Sequence, residues 1–393
     1  MQDILQYLQD FFGQLNRVEW ILLAVLGGIF LIQMVYWTIL YTRLLSHCRK
    51  LRKGQIPHST KTPPVSVILC ARNEHYNMEQ FLPAVLEQDY PEYEVVVVDD
   101  GSTDGTQDYL KLMKSRYEHL TTTFVPNEAK FINSKKFALT LGVKASKHDL
   151  LVLTDADCYP TGKQWLRQMV RNFDDDTQLV LGYGAYRKQK GLLNRLIVFD
   201  TLTIAMQYFN YALLGIPYMG VGRNLAYRKS LFNENHGFVR HLNIPSGDDD
   251  LFVNEVAKRH NTRIEVSADS HTESVPETRL KDWLRQKRRH LSTSSHYKGS
   301  SKLMLGLESL SRGLFYGLLV ACMIVGGFEL RLLAGALFAI RYITQWSVIN
   351  LTAKYLNERR YYTGILFYDL LLPLISLILL MRPDSGKNQS GLW

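Results

Sequence analysis

The chain has 393 residues, 46% apolar and 21% charged, which excludes a disordered or fibrous protein and leaves room for one large domain or two. Its net charge of +9 is uneven: residues 43–72 hold seven Lys/Arg and no acid, and residues 279–302 hold eight against Asp282 alone. A chain basic in two short blocks and acidic elsewhere is not a nucleic-acid binder with one broad basic face, so the blocks need a local cause.

Residues 1–18 set Ile4, Leu8, Phe11, Phe12 and Leu15 on one helical face, which predicts a helix lying in a membrane interface. Residues 20–42 run 23 positions without a charge, long enough at about 1.5 Å per residue to cross a bilayer, and predict a first span within 19–45. Trp20 leads it; Tyr36, Trp37 and Tyr41 trail it as expected interface anchors. Arg43, Arg49, Lys50, Arg52 and Lys53 follow, so this end faces the cytoplasm by the positive-inside rule. Residues 54–64 read as a linker into a cytoplasmic domain over 60–300.

In that domain, strands are predicted at 65–70, 94–98, 121–125, 149–154 and 178–183, with helices at 77–88, 104–118 and 134–146. Fully apolar strands alternating with helices mean a mixed, mostly parallel α/β sheet covered on both faces, with ligands at the carboxyl ends of its strands. Three of those ends carry acids: Ala71-Arg72-Asn73-Glu74, Asp99-Asp100-Gly101-Ser102 and Asp155-Ala156-Asp157. Oxygen ligands of this kind suit Mg²⁺ or Mn²⁺ together with substrate phosphates. Further on, Asp248, Asp249 and Asp250 open a helical stretch, where capping needs one or two acids rather than three.

Spans are predicted again at 303–328, 330–352 and 361–381, ahead of a tail over 382–393. Arg341 and Asp369 fall at similar depths in the last two spans, about 15 and 12 Å from one surface, which predicts a buried ion pair between them. Cys48, Cys70, Cys158 and Cys322 are scattered, with neither a disulfide framework nor zinc spacing.

The ordered segments PPVSVILCARNE, VVVVDDGSTDGT, SKKFALTLGVKAS, LTDADCYP, GDDDLFVNEVAKR and RQKRRH resemble family 2 glycosyltransferases of the GT-A (Rossmann-like) fold, over about 63–295. The resemblance implies that Asp100 meets the nucleobase, typically uracil, with Ala71, Asn73 and Glu74 holding the same nucleoside. It implies Lys135 near the base and diphosphate, Asp155 on the sugar and ribose, and Asp157 on the metal. It makes Asp249 the base that takes the acceptor's proton, in a direct attack that inverts the anomeric carbon, with Asp248 on the acceptor side. The segment Gly220-Val221-Gly222-Arg223-Asn224 is similar to one that lets the acceptor approach, at Gly222. Gln286, Arg289 and His290 take the places of QxxRW, with Arg289 facing the diphosphate and Gln286 and His290 the acceptor. The departure at His290, where processive synthases carry Trp, argues against polymer extrusion.

Residues 279–294 also read as a basic amphipathic helix on anionic lipid, with Trp283 and Leu284 toward the bilayer. The expectation is therefore an integral protein of the inner (cytoplasmic) membrane with its catalytic domain in the cytoplasm. It would move a sugar from a nucleotide-sugar donor to a hydroxyl of a lipid or lipid-linked acceptor, with no nucleic-acid partner. The alternatives are a processive polysaccharide synthase working as an oligomer and a non-catalytic membrane scaffold. The scaffold predicts loss of an acid among Asp100, Asp155, Asp157 and Asp249, and all four are present.

Overall fold

The computed structural model describes residues 6, 11–126, 134–244 and 246–381. Ile4 and Leu8 of the expected interfacial helix, and the 382–393 tail, lie outside these. Asn16 opens the first helix, α1 (Arg17–Val35), with a reciprocal cap: its side chain accepts from the Glu19 N–H at 3.0 Å, and Glu19 accepts from the Asn16 N–H at 2.9 Å. A π-helical turn, Tyr36–Leu40, leads into α2 (Thr42–Arg52). The extra residue of such a turn rotates the face that follows it. Trp37 and Tyr41, expected to anchor in the lipid interface, are buried against the protein instead, and the Tyr36 hydroxyl donates to the Met304 carbonyl at 3.2 Å. Trp20, at the other end, is exposed as expected.

The next elements repeat a strand–helix unit: β1 (Val65–Ala71), α3 (His75–Leu86), β2 (Tyr93–Asp99), α4 (Thr106–Arg116), β3 (Leu120–Phe124), α5 (Ser134–Ala145) and β4 (Leu150–Leu153). Alternate residues of β1 serve opposite faces. Val65, Val67 and Leu69 pack with Met78 and Leu82 of α3, whereas Ile68 and Cys70 pack with Ala138 and Val143 of α5. That is why these strands read as unbroken apolar runs.

The domain continues through β5 (Cys158–Pro160), α6 (Trp165–Val170), β6 (Leu179–Leu181), β7 (Gly184–Tyr186), α7 (Leu192–Leu214), β8 (Leu225–Arg228), α8 (Lys229–Glu234), α9 (Asp250–Val256), β9 (Thr262–Ile264) and β10 (Thr272–Ser274). The main sheet has the order β3-β2-β1-β4-β8-β6-β9. It is parallel except for β8, which runs antiparallel to β4 and β6. A small second sheet, β5-β10-β7, stands beyond the end of β4. Thus the carboxyl ends of β1, β2 and β4 open side by side, with β5 and β7 forming a further wall. The four cysteines are buried and free.

Four α-helices follow among the described residues: α10 (Leu280–Thr293), α11 (Gly299–Val325), α12 (Phe328–Tyr355) and α13 (Ile365–Met381). Three helical stretches, Arg17–Arg52, Gly299–Val325 and Phe328–Tyr355, are long and apolar enough to cross a membrane. Within the fourth predicted span, 361–381, the helix is Ile365–Met381, of 17 residues. At about 1.5 Å per residue that is about 25 Å, somewhat short of a typical hydrocarbon core.

Two expectations about this region come out differently. Trp283 is buried in the protein, not turned to lipid, and Lys287 beside it forms an ion pair with Asp200 of α7 at 2.8 Å. An apolar helix face docks as readily on protein as on lipid, and α10 uses it against the chain's own helices. The second is an enlargement. Arg341 does meet Asp369, at 3.4 Å, but Asp369 also binds Arg312 at 3.2 Å and the Tyr316 hydroxyl at 2.6 Å, and Arg312 binds Glu308 at 2.7 Å. Arg341 is wholly buried and donates to Gln33 at 3.0 and 3.1 Å and to Gln345 at 3.1 Å.

Candidate active site

A cleft of about 1620 Å³ starts at the carboxyl ends of β1 and β4, passes under α10 and continues down α11, α12 and α13. Its upper wall carries Glu74, Lys135, Asp155, Asp157, Asp248, Asp249, Arg289 and His290. Its lower wall carries Glu308, Arg312, Asp369, Leu372, Leu377 and Leu380.

At the end of β1, the loop after Ala71 is tied to the loop after β2. The Ala71 carbonyl accepts the Asp100 N–H at 2.8 Å, and Arg72 pairs with Asp100 at 3.3 Å. Asn73 sits at φ +56°, in the left-handed region Asn tolerates, which brings its side-chain oxygen to the Thr103 N–H at 2.8 Å. Ala71, Asn73 and Asp100 do not line the cleft. Glu74 does, and burial first, then Asp157, Asp155 and Asp104, pushes its carboxyl up to about 7, against the hydrogen bond it accepts from Asn77 at 2.6 Å.

Helix α5 delivers two adjacent lysines to different surroundings, because neighbours on a helix point about 100° apart. Lys136 is buried and donates to the carbonyls of His241 at 2.6 Å and Ile244 at 3.0 Å. Lys135 bridges Asp155 and Asp248, each at 3.1 Å. Desolvation opposes its charge, but Asp155, Asp248 and Asp249 hold its pKa well above the ordinary value.

Past β4, ligand atoms of Asp155, Asp157 and Cys158 lie within 4.8 Å of one another. The Cys158 thiol is engaged by the Ser274 hydroxyl at 2.7 Å and the Asp157 carboxylate at 3.2 Å, and burial pushes its pKa well up. With the thiol already engaged by Ser274 and Asp157, the two carboxylates are the hard donors of the group, fit for Mg²⁺ or Mn²⁺. Burial, then Asp155, raises the pKa of Asp157, the state expected of a carboxylate placed to receive a cation.

The three acids of 248–250 split into three tasks. Asp248 faces Lys135, which keeps its carboxyl low against burial. Asp250 points away, accepting from the Tyr297 hydroxyl at 2.7 Å and from Thr293, and so ties α9 to the end of α10. Asp249 caps α9, accepting the N–H of Asp250 at 2.7 Å and of Gly222 at 2.7 Å. A Cβ at Gly222 would sit 3.4 Å from the Asp249 carboxylate, so glycine leaves the approach to it open. Burial first, then Asp248 and Asp250, pushes Asp249 up to about 7. That is the value of a general base poised near neutrality.

Helix α10 presents Gln286, Arg289 and His290 to the cleft at helical spacing. Desolvation among the crowded cleft groups, then Arg289, Arg223 and Lys135, lowers the pKa of the His290 imidazole, although solvent reaches the side chain. Gln286 accepts from the Tyr186 hydroxyl at 3.3 Å. The sequence reading missed the separate role of Asp250, the part played by Tyr186, and Arg223, counted there only within a small-residue segment. The signal for Arg223 was a long cation among glycines.

The chain matches the family described as Glycosyl transferase family 21 over residues 29–384. The glycosyltransferase AglE of Haloferax volcanii is 36% identical over 110 residues, 28% of this chain and 34% of AglE. The poly-beta-1,6-N-acetyl-D-glucosamine synthase of Staphylococcus epidermidis is 30% identical over 93 residues, 24% of this chain and 21% of the synthase. The chain thus spans about a third and a fifth of the length of these two relatives. Among solved structures, the mannosyltransferase PcManGT of Pyrobaculum calidifontis, in complex with GDP-Man and Mn²⁺, superposes with a TM-score of 0.52 at 20% identity, over 84% of this chain and 99% of that one. At that identity the likeness bears on the fold, and it is the GT-A fold.

Proposed function

The chain belongs to Glycosyl transferase family 21, and from that premise we propose that it transfers a sugar, with inversion, from a nucleotide-sugar donor to a hydroxyl of a lipid or lipid-linked acceptor at the cytoplasmic face of the inner membrane. The observation that carries the reading is the continuity of the cleft. One cavity joins Asp155, Asp157 and Asp249 to the apolar flanks of Leu377 and Leu380 on α13. A donor needs only the upper half of such a space, whereas an acceptor with a hydrocarbon tail fills both.

The chemistry follows from the residues. A hydroxyl is too weak an acid to ionise before it attacks, so a base must take its proton as the new bond forms. Asp249, with a pKa near 7 and its approach kept open by Gly222, accepts that proton. Direct attack on the far side of the anomeric carbon from the leaving group gives inversion. Lys135 orients Asp155 and Asp248 toward the sugar between them. Asp157, with Asp155 beside it, would hold a divalent cation, which when bound offsets the charge growing on the leaving diphosphate.

UDP-sugars are favoured by the sequence resemblance, and the PcManGT complex adds a GDP-sugar to the candidates. The partial match to a polysaccharide synthase supports a second reading, repeated transfer to a growing chain. Purified protein offered a panel of UDP- and GDP-sugars with membrane lipids tests both. Diphosphate release that needs lipid and a divalent cation, with a product enlarged by one sugar, is expected. Long products favour the second reading, and no lipid dependence removes the first.

A further inference from the structure

Arg223, like Arg289 on the facing helix, is a cation of the cleft that makes no ion pair among the described residues. Lys135 is shared by two carboxylates, whereas the buried Nε of Arg223 has no hydrogen-bond partner. A half-buried guanidinium without a carboxylate is costly, so its retention on the wall of an active site asks for an anionic partner from outside the protein.

The geometry shows that this side chain is held ready. Its own backbone is pinned twice: the Arg223 carbonyl accepts the hydroxyls of Thr154 at 3.1 Å and Thr272 at 2.9 Å. Thr154 immediately precedes Asp155, so Arg223 is tied to the metal-fit segment. The side chain then runs across Gly184, where a Cβ would stand 2.4 Å from Nε and 2.6 Å from Cγ. Two residues along the same strand, and so on the same face, the Tyr186 ring lies 4.3 Å beneath the guanidinium. The Tyr186 hydroxyl is held in turn by Gln286. Glycine, tyrosine and glutamine thus form a slot that fixes a planar fork beside Asp157.

We propose that Arg223 binds the diphosphate of the donor, as a second cationic contact besides the one at Asp157, and that Gly184, Tyr186 and Gln286 act by positioning it. This rests on the nucleotide-sugar reading above. An arginine fork with several donors matches phosphate oxygens, and a guanidinium outside any ion pair keeps those donors free for the departing group. The proposal also gives Gln286 a task different from acceptor contact: it reaches the donor site through Tyr186.

The test is calorimetric titration of the full-length protein in detergent, in Mn²⁺, with UDP, UMP, GDP and GMP. Wild type is expected to prefer the diphosphate of whichever base binds by about tenfold or more over its monophosphate, the scale of a charge-assisted contact. Arg223→Met is expected to cut that preference to about threefold or less while leaving monophosphate affinity within about twofold. Gly184→Ala, which keeps the charge but fills the slot, is expected to act in the same direction. If Arg223→Met does not fold, Arg223→Lys takes its place, since it keeps a charge without the stacked fork and is expected to lose part of the preference. A diphosphate preference unchanged by the Arg223 substitution overturns the assignment and leaves the donor reading standing. A wild type that binds none of the four nucleotides overturns both.

Discussion

In the cleft, Asp155, Asp157, Asp248 and Asp249 converge on Lys135, which pairs with only two of them. In the helical bundle, Glu308 and Asp369 meet Arg312 and Arg341, charge for charge, with Gln33, Gln345 and Tyr316 adding hydrogen bonds to Arg341 and Asp369. The carboxylates are half-buried in the cleft and buried in the bundle, and only the cleft has carboxylates, Asp157 and Asp249, outside any ion pair among the described residues. Carboxylates left outside ion pairs are tolerated where a cation or a proton arrives during function. A balanced set has nothing left to bind and holds helices together. Charge balance, more than burial, separates the chemical site from the staple.

The comparison breaks most visibly at Asp157. Asp157→Ala is expected to lower transfer by about 10²–10³-fold, the scale for removing one element of electrostatic stabilisation, and to weaken nucleotide binding in Mn²⁺ but not without it. Turnover close to wild type in Mn²⁺ would take Asp157 out of the metal site. On the bundle side the readout is stability. Arg341→Leu leaves two carboxylates to Arg312 alone, whereas adding Asp369→Leu restores one acid to one base. The single change is therefore expected to destabilise more than the double, by about 1–3 kcal/mol, seen as a lower melting temperature in detergent. Effects that simply add would dissolve the pair. The smallest effect is a pH limb. The acid cluster around Asp249 must lose a proton before it can accept one, so turnover should rise with pH, about tenfold per unit, up to a shoulder near 7. A rate flat from pH 5 to 8 would place the base elsewhere.

Much of this was readable in the residues. β1, β2 and β4 announced themselves because strands buried on both faces must be apolar throughout, and the acids just past them could then be placed on one edge. Arg341 and Asp369 were readable because a charge inside an apolar run demands a partner. Glu308 and Arg312 were not, since an acid and a base four residues apart on one helix read as a pair that satisfies itself. The three-residue strands β5, β7 and β10, which build the Arg223 slot, are too short to show a period. Trp37, Tyr41 and Trp283 misled for a common reason: an aromatic at a helix end packs on protein or lipid with the same sequence pattern. In the candidate site, spacing alone could not tell Lys135 from Lys136, because which neighbour faces the cleft depends on how α5 is rotated against the sheet.

The central claim is that Asp249 acts on the acceptor and not on the donor. Asp249→Asn keeps the shape and an oxygen for the Gly222 N–H but cannot take a proton. Transfer and nucleotide-diphosphate affinity measured on the same preparation decide the matter. Transfer reduced by about 10²–10⁴-fold, with affinity within about threefold of wild type, is the predicted result. Affinity lost in proportion to transfer would contradict it and assign Asp249 to the donor.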